Sequence, residues 1–295
     1  MTVSFAAAVL SSSIVSGTSL FYAASGELVG ERAGVVNLGL EGLMLIGAAE
    51  GVAAASLSGN PYVGVAAAGL ACLLANLIFG FLVIERRANQ LATGLSLMFF
   101  GFGASALIGR AFVGALVPGL PRIAAAGLGP FDIVVWLVVP TALLLWGLLF
   151  RTRWGLALRA VGEDPAAAFA AGRRPKLIQF QALALAGFLA GVGGAHLSVG
   201  LTQTWDEGMT SGRGFIAIAL VIFSKWNPLW LIAGALVFGG AEALQLQLQA
   251  RGADVSPFLM TMVPYLLTLM ILAFWGWSRR SVAPAALGRN YFGVE

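Results

Sequence analysis

The sequence predicts an all-α, polytopic integral membrane protein of about nine transmembrane helices, within a range of about eight to ten at about 20 apolar residues per span. Three observations carry this. Hydrophobic residues make up 59% of the chain, charged residues only 10%, and there are 39 glycines, far from the composition of a soluble domain. Apolar runs of span length recur from one end to the other. The basic residues collect in alternate connections.

The runs fall at about 3–25, 38–57, 61–84, 91–109, 131–150, 177–200, 214–224, 228–249 and 258–277. The first has no basic segment before it and leads straight into more membrane-like sequence, so it reads as a span and not as a cleaved signal. The longest hydrophilic segment, 151–176, carries six Arg and Lys residues, which places it in the cytoplasm. Alternating outward from it, the segments around Arg32, Arg86 and Arg87, Lys225, and the tail with Arg279, Arg280 and Arg289 are also inside. Arg110, Arg122, Arg213 and Arg251 are left outside. An odd span count follows, with the N-terminus out and the C-terminus in. The short run 214–224 reaches only about 17 Å of a roughly 30 Å core, so it is either re-entrant or extended into the preceding SGRG. Little chain is left for a soluble domain, and residues 1–295 read as a single membrane domain.

Several chemistries are excluded. A nucleotide-driven motor carries GxxxxGK[ST], but Lys176 and Lys225 follow RRP and IFS, so there is no ATPase in this chain. The single histidine, His196, lies near the outer end of a glycine-rich span, and no serine has a base at recognisable spacing. The chain does not read as an enzyme. One cysteine, Cys72, allows neither an intramolecular disulfide nor a multi-cysteine metal site, and no metal or cofactor is expected. The net charge of +4 sets orientation and does not point to nucleic acid.

Within 151–176, Gly162 and Pro165 bracket a helix start signal, Asp164 is placed as an N-cap with Pro165 at the first helical position, and AAAFAA, including Ala168, is ended by Gly172 and Pro175. This predicts a surface helix of about two turns, shaped to dock in a groove of a partner, or else an ordinary basic loop. Near the N-terminus, ERAGVVNLGLEG places Asn37 as the N-cap of the second span and Glu41 about 6 Å further in, near the inner mouth. There it faces the positive end of the helix dipole, worth roughly 0.3–1 kcal/mol, and reads as a structural and gating element.

Polar residues at helical spacing mark a solute path, because a polar side chain facing lipid is costly. Three stripes qualify: Asn89, Thr93 and Ser96; Glu242, Gln245 and Gln249; Thr261, Tyr265 and Thr268. The alternative is that the hydroxyls bond their own helix backbone and the glutamines join neighbouring helices. Gln247 falls on the opposite side, as a packing contact. Gly187, Gly191 and Ala195 form a small-residue ridge for close helix approach.

TRWGLALRAVGEDPAAAFAAG resembles the cytoplasmic coupling loop of permease subunits of bacterial ABC importers in the branched-chain amino acid, ribose and nucleoside group. ERAGVVNLGLEGLMLIGA is similar to the signature near the N-terminus of the nucleoside and simple-sugar permeases of that group. ALAGFLAGVGGAHLSVG, MTSGRGFIAIALVIFSKWNP and VPYLLTLMIL follow in the family's order, so the resemblance covers most of the chain. It implies a multi-pass protein of the bacterial inner membrane, embedded in lipid, that forms half of the path for nucleosides or related sugars. The implied partners are a second permease subunit, two cytoplasmic ATPase subunits and an extracytoplasmic solute-binding lipoprotein. By the same resemblance, Gly162, Glu163, Asp164, Pro165, Ala168 and Gly172 belong to the coupling helix seated in the ATPase. A polar lining with Tyr265 to stack on a ring suits a nucleoside or sugar. Trp205, Asp206 and Glu207 in the outer loop either contact the binding protein or form a solvated loop. The alternatives are a branched-chain amino acid permease and, of another class, a proton-coupled transporter or channel using Glu41 and Glu242.

Overall fold

The computed structural model describes residues 5–124, 129–250, 262–263, 266, 269–270, 273 and 283–290. Helix α1 runs Phe5–Arg32, past the end of the apolar run, because Glu27, Glu31 and Arg32 are buried against partners in the protein. Helix α2, Leu40–Ser58, and helix α3, Pro61–Gly80, follow. The Asn60 side chain caps α3 by accepting from the Tyr62 amide, and a wide turn, Phe81–Glu85, prolongs it. Helix α4 is Gln90–Gly109.

The connection that follows carries a small antiparallel ribbon, β1 (Arg122–Ala124) against β2 (Pro130–Asp132), a departure from a purely helical chain. Asp132 then caps α5 (Ile133–Trp136), which is offset by Leu137 from α6 (Val138–Arg151); the two make one apolar stretch. Next come α7 (Arg153–Glu163), α8 (Pro165–Ala170) and α9 (Pro175–Ala195), the last prolonged by a wide turn, His196–Thr202. Helices α10 (Arg213–Phe223) and α11 (Pro228–Ala250) follow.

Among the described residues, seven helices are long and apolar enough to cross a membrane, and they coincide with seven of the nine apolar runs. The run at 214–224 is α10, which at 11 residues is about 16 Å long, half a bilayer core. The run at 258–277 lies largely outside the described residues.

The most extensive packing is α3 on α9, α1 on α11 and on α9, and α2 on α3 and α4. Helices α2 and α9 are almost wholly enclosed, whereas α4, α6 and α11 turn Phe99, Phe100, Leu144 and Trp230 outward, as lipid-facing helices do. The small-residue ridge brings α9 close to two neighbours. A Cβ on Gly187 would stand 2.5 Å from the Cys72 carbonyl oxygen of α3, and one on Gly47 of α2 2.8 Å from the Gly191 Cα.

The connections group at two ends. At one, Lys176 pairs with Glu85 at 3.3 Å, Gln179 donates to the Ala33 carbonyl, and Arg32 reaches the carbonyls of Lys225 and Trp226. At the other, the 113–120 segment bonds to Val199 and Gln203, and Trp205 packs against Gly109. Arg213 is at neither end. The expectation that it lies in an outer loop is corrected: it opens α10 inside the bundle, because the chain after Trp205 folds back into the protein.

Candidate functional site

Helix α10 is too short to leave its ends in water, so its unpaired backbone groups need partners inside the protein. The partners of its head, and those of the turn that closes its tail, come from one short stretch, 31–41. At the head, the Glu41 carboxylate accepts from the Thr210 hydroxyl (2.6 Å), the Gly212 amide (2.7 Å) and the Gly214 amide (2.6 Å). At the tail, the Arg32 guanidinium donates to the Trp226 carbonyl at 3.0 and 3.1 Å, and Glu31 accepts from the Trp226 indole at 2.6 Å. A negative group at the head and a positive one at the tail match both ends of the α10 dipole.

This corrects the position expected for Glu41. It is 3% exposed and sits at the head of a half-length helix whose tail meets Arg32, so about 16 Å separates it from the Arg32 end. It is a deep, fully engaged carboxylate and not one beside a watery mouth. The close approach depends on Gly214, where a Cβ would run into the backbone of Glu41 itself.

Asn37 is corrected as well. It does not cap α2, which begins at Leu40 after Gly39. Instead the chain after Arg32 turns back along α1, so that the Asn37 amide donates to Glu27 (2.8 Å) and its side-chain oxygen accepts from the Gly39 amide (2.8 Å). Its side-chain nitrogen donates to Asn76 on α3 (2.8 Å), which in turn donates to the Leu183 carbonyl on α9 (2.7 Å). Asn37 therefore ties four elements together. Glu27 and the Trp226 contact had no signal in the sequence beyond being polar among apolar neighbours.

Beside the α10 head lies a cavity of about 480 Å³ between α1, α10 and α11. Glu242 and Gln245 line it with Ser16, Thr202, Ser211 and Arg213, over apolar walls that include Phe238. Glu242 forms an ion pair with Arg213. Gln249, a turn further along α11, is exposed and outside this lining. Gln247 donates to Ser12 on α1 at 3.4 Å, an interhelical contact.

The stripe Asn89, Thr93 and Ser96 stands apart. Asn89 caps α4, the Thr93 hydroxyl donates to the Asn89 carbonyl (2.8 Å) and the Ser96 hydroxyl to the Ala92 carbonyl (2.9 Å). Thr93 and Ser96 border a largely apolar groove between α3 and α4, separate from the Glu242 cavity. Thr261, Tyr265 and Thr268 lie outside the described residues.

The 151–176 segment holds two helices where one was expected. Thr152 caps α7 by accepting from the Gly155 amide (3.0 Å), and α7 runs through Gly162 to Glu163. Asp164 then caps α8 by accepting from Ala166 and Ala167 at 2.9 and 3.0 Å, with Pro165 at its first position. Gly172, at φ 77°, lies just past its end. Ala168, on the inner face of α8, is buried, while Phe169 points outward and is 40% exposed. Gly162 lies against the Arg32 carbonyl without room for a Cβ. The 283–290 segment covers this junction: Ala286 donates to the Gly162 carbonyl (2.9 Å), Ala285 to Glu163 (3.2 Å) and Gly288 to the Gly34 carbonyl (3.2 Å).

At the opposite end, His196 lies 3.3 Å from Asp132, both buried. Burial pushes the Asp132 carboxyl up, but the bond and charge of His196 and the amides of Val134 and Val135 outweigh it, and it sits below its ordinary value.

A family profile described as branched-chain amino acid transport system, permease component, matches residues 9–273. A putative glucose ABC transporter permease of Haloferax volcanii is 34% identical, with 98% of each chain covered. The guanosine ABC transporter permease of Bacillus subtilis is 33% identical and the nucleoside ABC transporter permease of Lactococcus lactis subsp. cremoris 31% identical, each with 96% of both chains covered. No solved structure matches the chain at a significant level. A bundle of long apolar helices, matched over nearly its whole length, places the chain in the family of branched-chain amino acid transport system permease components.

Proposed function

We propose that this chain is the permease subunit of an ATP-driven importer for nucleosides or related sugars, and that it forms half of the solute path beside a second permease subunit. Two cytoplasmic ATPase subunits supply the energy and an extracytoplasmic lipoprotein delivers the solute. The N-terminus lies outside and the C-terminus inside. The observation that carries this reading is the cavity lined by Ser16, Thr202, Ser211, Gln245 and the Arg213–Glu242 pair, whose donors and acceptors, with no net charge, suit a hydroxyl-rich ring. The names of the relatives, guanosine, nucleoside and glucose permeases, support the same solute class.

At the end that gathers Arg32, Lys176 and Lys225, α8 is the surface that docks on the ATPase, with Phe169 as its exposed apolar contact. Its motion reaches the cavity through short links: Gly162 against the Arg32 carbonyl, Arg32 on the tail of α10, and α10 rigidly on to Glu41 and Arg213.

The test is uptake into proteoliposomes holding the permease pair and ATPase, with loaded binding protein outside and ATP inside. ATP-dependent entry of labelled guanosine or glucose is expected. Entry of leucine instead would assign a branched-chain amino acid permease. Entry without ATP that collapses with the proton gradient would assign a secondary transporter, and passive flux a channel.

A further inference from the structure

Arg213 is the first residue of α10, at the positive end of the helix dipole, where a basic side chain is disfavoured. Glu41 does not offset it directly, since both its oxygens are engaged by Thr210, Gly212 and Gly214. The guanidinium is instead paired with Glu242 of α11, and its other terminal nitrogen lies 3.5 Å from the Ser19 hydroxyl of α1. The two charged side chains are only 13% and 27% exposed, and what they expose faces the cavity. The pair therefore sets a fan of donors and a carboxylate acceptor side by side in the cavity wall, with no net charge.

We propose that the Arg213–Glu242 pair is the solute-contacting element that selects neutral, polyhydroxylated solutes and rejects their phosphorylated forms. This rests on the reading of the chain as a nucleoside or sugar permease. Adjacent hydroxyls of a ribose or hexose take one bond from the guanidinium and give one to the carboxylate, so neither charge loses its partner. A phosphate would draw Arg213 to itself and leave Glu242 facing both an anion and a poorly solvated wall. A cavity of about 480 Å³ admits one ring system with some water, so such a solute meets the pair directly.

The test uses the permease pair and ATPase in nanodiscs, with equilibrium binding of labelled guanosine, glucose and guanosine 5′-monophosphate, and uptake kinetics in proteoliposomes. Arg213→Gln and Glu242→Gln are each expected to weaken guanosine or glucose binding about tenfold, the size of one charge-assisted hydrogen bond. Uptake KM should rise by the same factor with kcat less affected. Glu242→Gln, which leaves Arg213 unmatched, is expected to bind the monophosphate more tightly than wild type, a gain that a merely structural pair would not produce. The exchanged variant Arg213→Glu with Glu242→Arg should recover neutral-solute binding relative to either single change. Unchanged guanosine and glucose binding in folded single variants, or no gain of monophosphate binding, would overturn the proposal. Failure of the wild type to bind either neutral solute while transporting leucine would instead overturn the solute class on which it rests.

Discussion

The amide of Gly214 donates to the carboxylate of Glu41 at 2.6 Å, across 173 residues of sequence. That bond, with those from Thr210 and Gly212, fastens the head of a half-length helix to the start of the second span. It makes Glu41 a structural charge whose removal strands three donors.

Glu41→Ala is therefore expected to lower the thermal unfolding midpoint in detergent and the yield of folded protein. Each hydrogen bond to a charged group is worth about 1.5–3 kcal/mol. Glu41→Gln keeps one acceptor oxygen and should fall between Ala and wild type. Both should depress ATP-dependent uptake without altering solute preference; a changed preference with preserved rate would place Glu41 in the solute path instead.

Gly214→Ala forces a methyl group into the Glu41 backbone. Overpacking of this kind costs about 1–3 kcal/mol. Because both changes break one junction, the double variant Gly214→Ala with Glu41→Gln is expected to lose less stability than the sum of the singles. Strict additivity in the unfolding midpoints would mean that the two sites are independent.

At the α8 surface, Phe169→Ala should leave the unfolding midpoint within about 0.5 kcal/mol of wild type, as for an exposed position. It should nonetheless reduce the ATPase stimulation produced by loaded binding protein. Gly162→Ala, pressed against the Arg32 carbonyl, should lose both stability and stimulation. Equal stimulation in Phe169→Ala and wild type would show that α8 is not the docking surface.

Asp132 gives a pH signature. Its carboxyl is held below the ordinary value of about 3.9, so its contribution to stability is fully present above that value and is lost as the pH falls through its lower folded value. Asp132→Asn removes this contribution. The stability gap between wild type and Asp132→Asn should persist at neutral pH and narrow as the pH drops below about 4, read from unfolding midpoints in detergent across that range.

Hydrophobic run length made most of the helices legible, since 20 apolar residues in a row have few other uses. Local chemistry did the same for α8, where Asp164 and Pro165 spell a helix start in adjacent residues. Helix α7 was missed although Thr152 offers a cap, because Arg151, Arg153 and Arg159, before and within its amphipathic pattern, read as a basic loop. The end of α1 and the depth of Glu41 were misjudged for a shared reason. Apolar run length assumes that charges mark the membrane surface, whereas Glu27, Glu31, Arg32 and Glu41 find partners inside the bundle. Those partners lie up to 195 residues away, a separation that no window of sequence reports. Arg213 was placed in a loop by the same rule, and the Glu242 stripe was found without the partner that gives it its character.

The double anchoring of α10 also bears on how the protein is made. A segment of 11 residues is too short to be laid across a bilayer by its own hydrophobicity. Its receptor, however, emerges from the ribosome more than 170 residues ahead of it, on the order of ten seconds earlier at ordinary elongation rates. The first two spans thus act as a template, and the late helix is drafted into place by charges already waiting in the membrane. Errors in the 31–41 stretch would then surface as a biogenesis defect, with nascent chains left unassembled well before any solute is offered.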